Sequence, residues 1–566
     1  MFYTRPCMQS SKLWAAAGLS AVLLELPFPL AGPLPPWRSG FAWFALVPLL
    51  WAVLSIPASS CTRPLRRAFF LAYLSGFLWY MGNCYWVRNA MLHYGDMPRF
   101  APTLLLIGFS LVLGLYFALF GLGIALVQRA TGSTRMALAF SPFLWTGLEL
   151  AAARITSVPW DQLGYSQVDN TLINQLAPWT GVYGISFVLV VANALLAGGL
   201  LLGSGSKNKF SGRWAWTACG ALLLVAGECG IFVPPPKPDP TATAVLIQPN
   251  LDVGVNNNWQ GAVWDQHIAE FTRLADEQCK AYIAGIPQTG APGGEIVCPP
   301  YPTYPDLVVW PESPAPFDES DPQLQKALAG IAHAVKAPLV VGGIGWSYDA
   351  PAQQWRYYNS AIIIGEDGQL AGRYDKIHLV PFGEYTPFQN LLKFAHKLTG
   401  RVSRFSRGSV RNAFLLDTQS GGAHRYGVFI CYEAVFADEV RQFARNGAEV
   451  FVNISDDGWY GDTSAPWQHL NMARMRAIEN RRWLLRDTNN GVTAAIDPFG
   501  RVRQSIPRHQ VDALPAEFGF RHDITFYTEH GDVFAWLCAI LSLGVVGWSL
   551  ERGLQAPKAK TSAPAR

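Results

Sequence analysis

Charge is scarce in this chain. Of its 566 residues only 15% are Asp, Glu, Lys or Arg, against about 25% in an ordinary soluble domain. The 44 basic and 40 acidic residues nearly cancel, leaving a formal net charge of +4. No basic block stands out, which argues against nucleic acid as a partner. Cysteine is sparse: 9 residues are too few for a disulfide scaffold. The 10 His are scattered without ligand spacing, so no metal is expected. Familiar signatures are missing as well: the sequence holds no GxSxG, HExxH, P-loop, paired CxxC, or GxGxxG after a strand. What it has in quantity is apolar. Hydrophobic residues make up 50% and the mean hydropathy is +0.15. This excludes a disordered chain and argues against a wholly soluble one.

A bilayer core of about 30 Å needs roughly 20 apolar residues to span. Eight stretches approach that length: 14–31, 39–56, 68–87, 103–127, 136–153, 182–202, 214–233 and 533–550. The first could be a signal peptide, but no clean small-x-small site follows it, and a retained helix is expected. Loops on the N-terminal side hold fourteen Lys and Arg, while the short loops opposite hold four (Arg38, Arg88, Arg99 and Arg154). That bias predicts cytoplasmic termini. It leaves 234–532 on the far side, which in a bacterial inner membrane is the periplasm. Three acids interrupt the apolar segments. Glu25 and Glu228 read as helix-end residues reaching the interface, and Glu149 is open between that and a polar site between helices.

The sequence therefore divides into a membrane domain (1–233), a large extramembrane domain (234–532), a last membrane helix (533–550) and a cytoplasmic tail (551–566). The large domain alternates buried strand patterns with helical ones. Strands are expected at 244–249, 306–310, 338–343, 360–365, 426–430 and 449–454. Helices are expected at 264–281, 322–335, 437–446 and 465–482. Such alternation points to a layered α/β fold.

Three segments of this domain gather reactive groups. LVVWPES places Glu312 just past a buried strand. GRYDKIHLVPFGEY supplies Lys376 and Glu384. YGVFICYEAVF ends a hydrophobic strand at Cys431. Strand ends are where open α/β layers carry their sites. A thiol titrates near 8.5 and needs help at neutral pH. A lysine ammonium favours the thiolate and can stabilise an oxyanion, and a carboxylate can take the thiol proton. Together the three suffice for acyl transfer through a thioester. Taken singly, Cys431 reads as a small buried hydrophobe, and Glu312 and Lys376 as surface charges.

WPES, YDKIHLVPFGEY and ICYE together resemble the nitrilase (carbon–nitrogen hydrolase) superfamily. Two longer stretches carry the resemblance further. They are PWDQLGYSQVDN (159–170) and the run from ISDDGWYGDTSAPWQHL through TNNGVTAAIDPFG (454–500). Both resemble the bacterial apolipoprotein N-acyltransferase family, over nearly the whole chain. The resemblance implies an αββα nitrilase-like sandwich on a polytopic membrane domain of eight transmembrane helices. It implies transfer of a fatty acyl group from a phospholipid, commonly phosphatidylethanolamine, to the N-terminal amine of a diacylglyceryl-cysteine apolipoprotein. No cofactor is implied, and a monomer suffices.

Carried onto this chain, the resemblance makes Cys431 the nucleophile, Glu312 the general base and Lys376 the stabiliser of tetrahedral intermediates. Glu384, Tyr432 and Glu433 match supporting positions. Trp259 matches a Trp that follows the QPN segment, at a less secure spacing. Trp459 falls in a loop that covers the pocket or simply packs. Residues 386–401 mix Phe388, Leu391, Leu392 and Phe394 with Lys393, Lys397 and Arg401, and read either as an interfacial arm or as a helix on the domain core. A Pro/Gly-rich insertion at 279–305 is longer than expected of the family. Its Cys279 and Cys298 could pair in an oxidising compartment. A membrane-tethered amidase or nitrilase, passing the acyl group to water, is the competing reading with the same triad.

Overall fold

The computed structural model describes residues 10–56, 63–94, 98–202, 211–238, 240–252, 262–276, 304–312, 318–381, 383–385 and 405–555. Trp259, Cys279, Cys298, nearly all of the 279–305 insertion and the 386–401 segment lie outside them.

Among the described residues, those before 234 form helices and connecting loops, with no strand. The α-helices are α1 (Ser10–Glu25), α2 (Val47–Leu54), α3 (Pro64–Asn83), α4 (Tyr85–Tyr94), α5 (Ala101–Thr131), α6 (Thr134–Ala151), α7 (Ala177–Thr180), α8 (Val182–Leu201) and α9 (Ser211–Glu228). Among the described residues, six helical spans are long and apolar enough to cross a membrane: Pro36–Leu54, Ala101–Thr131, Thr134–Thr156, Val182–Leu201, Trp214–Phe232 and Val533–Arg552. The segments expected at 14–31 and 68–87 are not among them. Helix α1 has only 16 residues, about 24 Å at 1.5 Å per residue. The apolar run of α3 is diluted by Arg66, Arg67, Ser75 and Asn83, and the chain breaks at Cys84 before α4.

Glu25 and Glu228 turn inward rather than to the interface, and Glu149 takes the polar position between segments. Glu228 ends α9 but turns inward, accepting from Trp43 Nε1 at 2.6 Å and Ser39 Oγ at 3.1 Å. Glu149 Oε1 accepts from Trp145 Nε1 and from the Leu163 N–H, both at 2.9 Å. It thereby ties α6 to the loop that follows. Glu25 packs against Gly82, where an added Cβ would lie 2.4 Å from its Oε1. Only glycine leaves that carboxyl its space.

Residues 242–518 build two six-stranded sheets. The first has the order β12-β1-β2-β3-β4-β5, with β1 (Ala242–Gln248), β2 (Leu307–Val309), β3 (Leu339–Asp349), β4 (Gln354–Ile364), β5 (Leu370–Asp375) and β12 (Asp512–Phe518). The second has the order β11-β10-β9-β8-β7-β6, with β6 (Ala413–Asp417), β7 (Ala423–Ile430), β8 (Val450–Ser455), β9 (Trp483–Thr488), β10 (Thr493–Ile496) and β11 (Val502–Ile506). Strands β1, β2 and β3 run parallel, as do β7, β8 and β9. Such central strands are buried on both faces and read as near-continuous Val/Ile/Leu runs.

Helices α10 (Ala262–Asp276) and α11 (Pro322–Val335) pack on the first sheet, burying Phe271, Leu324, Leu328 and Ile331 against Val308, Val341 and Ile362. The start of α11 is local chemistry: the Asp321 side chain accepts from the Gln323 N–H and Pro322 holds the first turn. Helices α12 (Ala437–Arg445) and α13 (Ala465–Asn480) cover the second sheet. The result is the helix–sheet–sheet–helix layering expected. Helices α14 (Phe526–His530) and α15 (Val533–Gln555) then lead back to the membrane segments.

Helix α13 joins the two halves of the molecule. Every residue except Trp467 is buried, although the helix carries Arg474, Arg476 and Glu479. Buried charges need partners. Arg474 pairs with Asp169, Arg476 reaches Glu479 at 3.1 Å and Tyr165 Oη at 2.9 Å, and Glu479 accepts from the Val182 N–H at 3.0 Å. Asp169, Tyr165 and Val182 belong to the first 233 residues, so the charges of α13 serve docking.

Candidate active site

Three strand ends and one turn converge on a buried polar cluster. Strand β7 stops at Ile430, and Cys431 adopts φ 48°. For a side chain with a Cβ this left-handed conformation costs about 1–3 kcal/mol and must be held by its surroundings. Two groups hold it. The Glu433 carboxylate accepts from the Ile430 N–H at 2.7 Å. His469 Nε2 lies 3.0 Å from the Cys431 carbonyl oxygen.

Lys376 follows β5 and is 1% exposed. Its Nζ donates to Glu312 Oε1 and Glu384 Oε1, each at 2.9 Å. Asn359, on β4, donates to the same two oxygens at 2.7 and 2.6 Å. The other Glu312 oxygen accepts from the Asp456 N–H at 3.0 Å, and the other Glu384 oxygen from the Val380 N–H at 2.7 Å. One ammonium and one amide thus bridge two carboxylates out of water. Burial works against the ammonium, but Glu312 and Glu384 outweigh it and hold the Lys376 pKa well above its ordinary value.

The thiol lies in the opposite regime. Burial pushes the Cys431 pKa well up and the Glu312 charge adds to it, while Lys376 and Ser455 pull the other way without prevailing. The resting group is therefore a neutral thiol, and a base must remove its proton as it attacks. Iodoacetamide should accordingly label Cys431 slowly at pH 7, with a rate that keeps climbing past pH 9. A plateau below pH 8, measured by peptide mass spectrometry, would mean a preformed thiolate.

Glu433 is a fastener for both reactive segments. Besides Ile430 it accepts from the Ile377 and His378 N–H groups at 2.7 and 3.1 Å and from Tyr374 Oη at 2.8 Å. It thereby locks the backbone after Lys376 to the backbone before Cys431. Tyr432 faces the membrane-domain side: its hydroxyl donates to the Ser157 carbonyl at 3.0 Å and its ring stacks on Trp160 at 6.5 Å. Trp459 is 48% exposed, on the 3-10 turn Asp457–Tyr460. The structure thus gathers Glu312, Lys376 and Glu384 into one direct hydrogen-bonded cluster and fixes Cys431 beside it through Glu433.

Four further residues belong to this site and are not singled out by the sequence reading: Asn359, Asp457, His469 and Arg486. Asp457 accepts from Arg486 at 2.8 Å and Ser455 Oγ at 2.9 Å and lies 3.0 Å from His469 Nδ1. Burial would raise its pKa, but Arg486 and His469 hold it well below the carboxylate range. Asp457, His469 and Arg486 do fall inside the 454–500 stretch that carries the family resemblance; Asn359 has no such marker.

One other group of metal-ligating types occurs among the described residues: His424, Glu449 and His522, with ligand atoms within 4.8 Å. His424 Nδ1 is already hydrogen-bonded to Glu449 at 2.6 Å, and His522 is largely exposed. The group stands as a hydrogen-bonded pair with a neighbour.

Residues 20–195 match the family model "Apolipoprotein N-acyltransferase N-terminal domain", and residues 244–512 match "Carbon-nitrogen hydrolase". Whole-chain relatives agree. An apolipoprotein N-acyltransferase of Geobacter metallireducens is 34% identical over 542 residues, 95% of each chain. One from Sinorhizobium fredii is 31% identical, covering 86% of this chain and 85% of its own. One from Pseudomonas putida is 30% identical, covering 97% and 98%.

Proposed function

Because the chain belongs to the apolipoprotein N-acyltransferase family, we propose that Cys431 carries a fatty acyl group from a membrane phospholipid to the N-terminal amine of a diacylated apolipoprotein. The single observation that carries this mechanism is the Lys376–Glu312 contact at 2.9 Å, buried in the same cluster as Cys431.

In the first half, the Cys431 sulfur attacks the phospholipid ester carbonyl while Glu312 takes the thiol proton. The Lys376 ammonium stabilises the oxyanion that forms. Collapse breaks the ester C–O bond, and Glu312 returns the proton to the departing lysophospholipid oxygen. In the second half, the acceptor amine attacks the thioester and Glu312 takes one amine proton. Collapse forms the amide, and the sulfur leaves with the proton from Glu312. Glu384 keeps Lys376 charged and in place throughout.

The donor's acyl chain is assigned to the membrane helices. A pocket between them is lined by Trp79, Tyr116, Phe117, Phe120, Trp145 and Trp160, with Glu149 and Asp161 at its polar side. Trp160 also stacks on Tyr432, next to the nucleophile. This mostly aromatic cavity takes the acyl chain. Phe120→Trp, which fills part of it, should shift chain preference by two or more carbons, each methylene being worth roughly tenfold or more. Unchanged preference in a competition of donor lipids would remove the cavity from this role.

The basic bias of the loops supports cytoplasmic termini and a periplasmic 234–532 domain. A membrane-impermeant maleimide should label a cysteine engineered at exposed Val410 in intact cells; labelling only after lysis would invert the topology. Transfer is separated from hydrolysis by supplying a diacylated lipopeptide with phosphatidylethanolamine. Triacylated product supports the proposal, and release of free fatty acid alone supports the amidase reading.

A further inference from the structure

Helix α13 presents two adjacent side chains that point to opposite halves of the molecule. Gln468 is fully buried and makes contacts with three membrane-side segments. Its Oε1 accepts from Trp160 Nε1 at 2.9 Å. Its Nε2 donates to Asn83 Oδ1 at 3.0 Å, to the Asn83 carbonyl at 3.2 Å and to the Pro29 carbonyl at 3.3 Å. These partners sit at the end of α3, just past α1 and in the loop after α6. The next residue, His469, is also fully buried. Its Nε2 faces the Cys431 carbonyl at 3.0 Å, so that nitrogen must carry a hydrogen. With the hydrogen on Nε2, its Nδ1 accepts from the Arg486 guanidinium at 3.1 Å, which also donates to Asp457 at 2.8 Å.

The carbonyl that His469 holds belongs to the one residue of the proposed triad with left-handed backbone, at φ 48°. Strain of this kind persists only where the surroundings over-determine it. We propose that Gln468 and His469 are positioning residues that brace the Cys431 backbone against the ends of the membrane helices. The membrane domain then does more than anchor and receive lipid, because its docking sets where the thiol points. The inference rests on Cys431 being the nucleophile, as proposed above.

The test is single-turnover acylation of the purified full-length enzyme by a fluorescent phospholipid, with rate and apparent KM read separately. Gln468→Met keeps the side-chain length and removes all four hydrogen bonds. The saturating rate should fall roughly tenfold to a hundredfold, the scale of a thiol misplaced by about an ångström, with KM within about twofold. A raised KM at unchanged rate would overturn the proposal and make Gln468 a lipid-binding residue; no change in either would also overturn it. His469 supplies a second reading should Gln468→Met fail to fold. His469→Gln can still offer an N–H to the Cys431 carbonyl, and His469→Leu cannot. The Gln variant should keep at least a third of the rate and the Leu variant should lose as much as Gln468→Met. Equal rates in the two would overturn the proposal. Cys431→Ala in parallel separates the two claims: acylation that persists there sinks the nucleophile assignment itself.

Discussion

Lys376→Met is expected to abolish acylation and to destabilise the fold by about 3–5 kcal/mol, the cost of leaving buried charge without its partner. Lys376 is 1% exposed and is shared by two carboxylates at 2.9 Å. Methionine fills the same volume but leaves Glu312 and Glu384 facing one another across Asn359. The pH dependence follows in sign. In the wild type the folded-state lysine pKa is raised, so its contribution is complete at neutral pH and is lost only as pH rises through that raised value. In the variant the two carboxylates gain by binding a proton. Its deficit in melting temperature should therefore shrink as the pH is lowered from 8 to 5. A deficit that stays constant or grows on acidification would show that the pair is not electrostatically coupled as drawn.

Glu312→Gln should lower the rate of acyl-enzyme formation by about 10³–10⁴, the upper range for a positioned base. The reason lies in the thiol: burial keeps Cys431 neutral, so an amide that cannot accept its proton leaves no route to the thiolate at neutral pH. The same change costs some stability. All three groups around the carboxylate, Lys376, Asn359 and the Asp456 N–H, are donors. Whichever Glu312 oxygen becomes an NH2 must face one, at about 1–3 kcal/mol. Alkylation by iodoacetamide at pH 9.5, where hydroxide rather than Glu312 can take the thiol proton, should be far less affected than acylation at pH 7. Equal losses in both would mean misplacement of the thiol rather than removal of a base.

Much of this site was legible because its groups sit where buried parallel strands stop. LVVWPE and YGVFIC announce β2 and β7 by their apolar runs and deliver Glu312 and Cys431 at their ends. Lys376 stands out as a reactive group in GRYDKIHLVPFGEY, but no strand pattern leads to it. Its strand, LAGRYD, is exposed at its start and carries no alternation. Strand β9, WLLRDT, is hard to read as a buried strand because Arg486 and Asp487 are types that usually lie at the surface. Both are fully buried, with Arg486 paired to Asp457. No local pattern encodes a partner that lies twenty-nine positions away in the chain. Helix α13 was expected from its sequence, but not its burial on all sides. Charged residues suggest a wet face, and only the docked membrane-side loop shows where Arg474, Arg476 and Glu479 go. Likewise the break between α3 and α4 at Cys84 falls inside an apolar run that reads as one continuous helix.

The central claim is that acyl groups pass through Cys431. Intact-protein mass spectrometry of the detergent-purified enzyme, mixed with a phosphatidylethanolamine of defined chains, tests it directly. The account predicts a mass increment of one fatty acyl group that maps to the Cys431 peptide. Hydroxylamine should remove it, a diacylated lipopeptide should discharge it, and Cys431→Ala should lack it. No increment on folded enzyme, or one that survives in Cys431→Ala, would contradict the account.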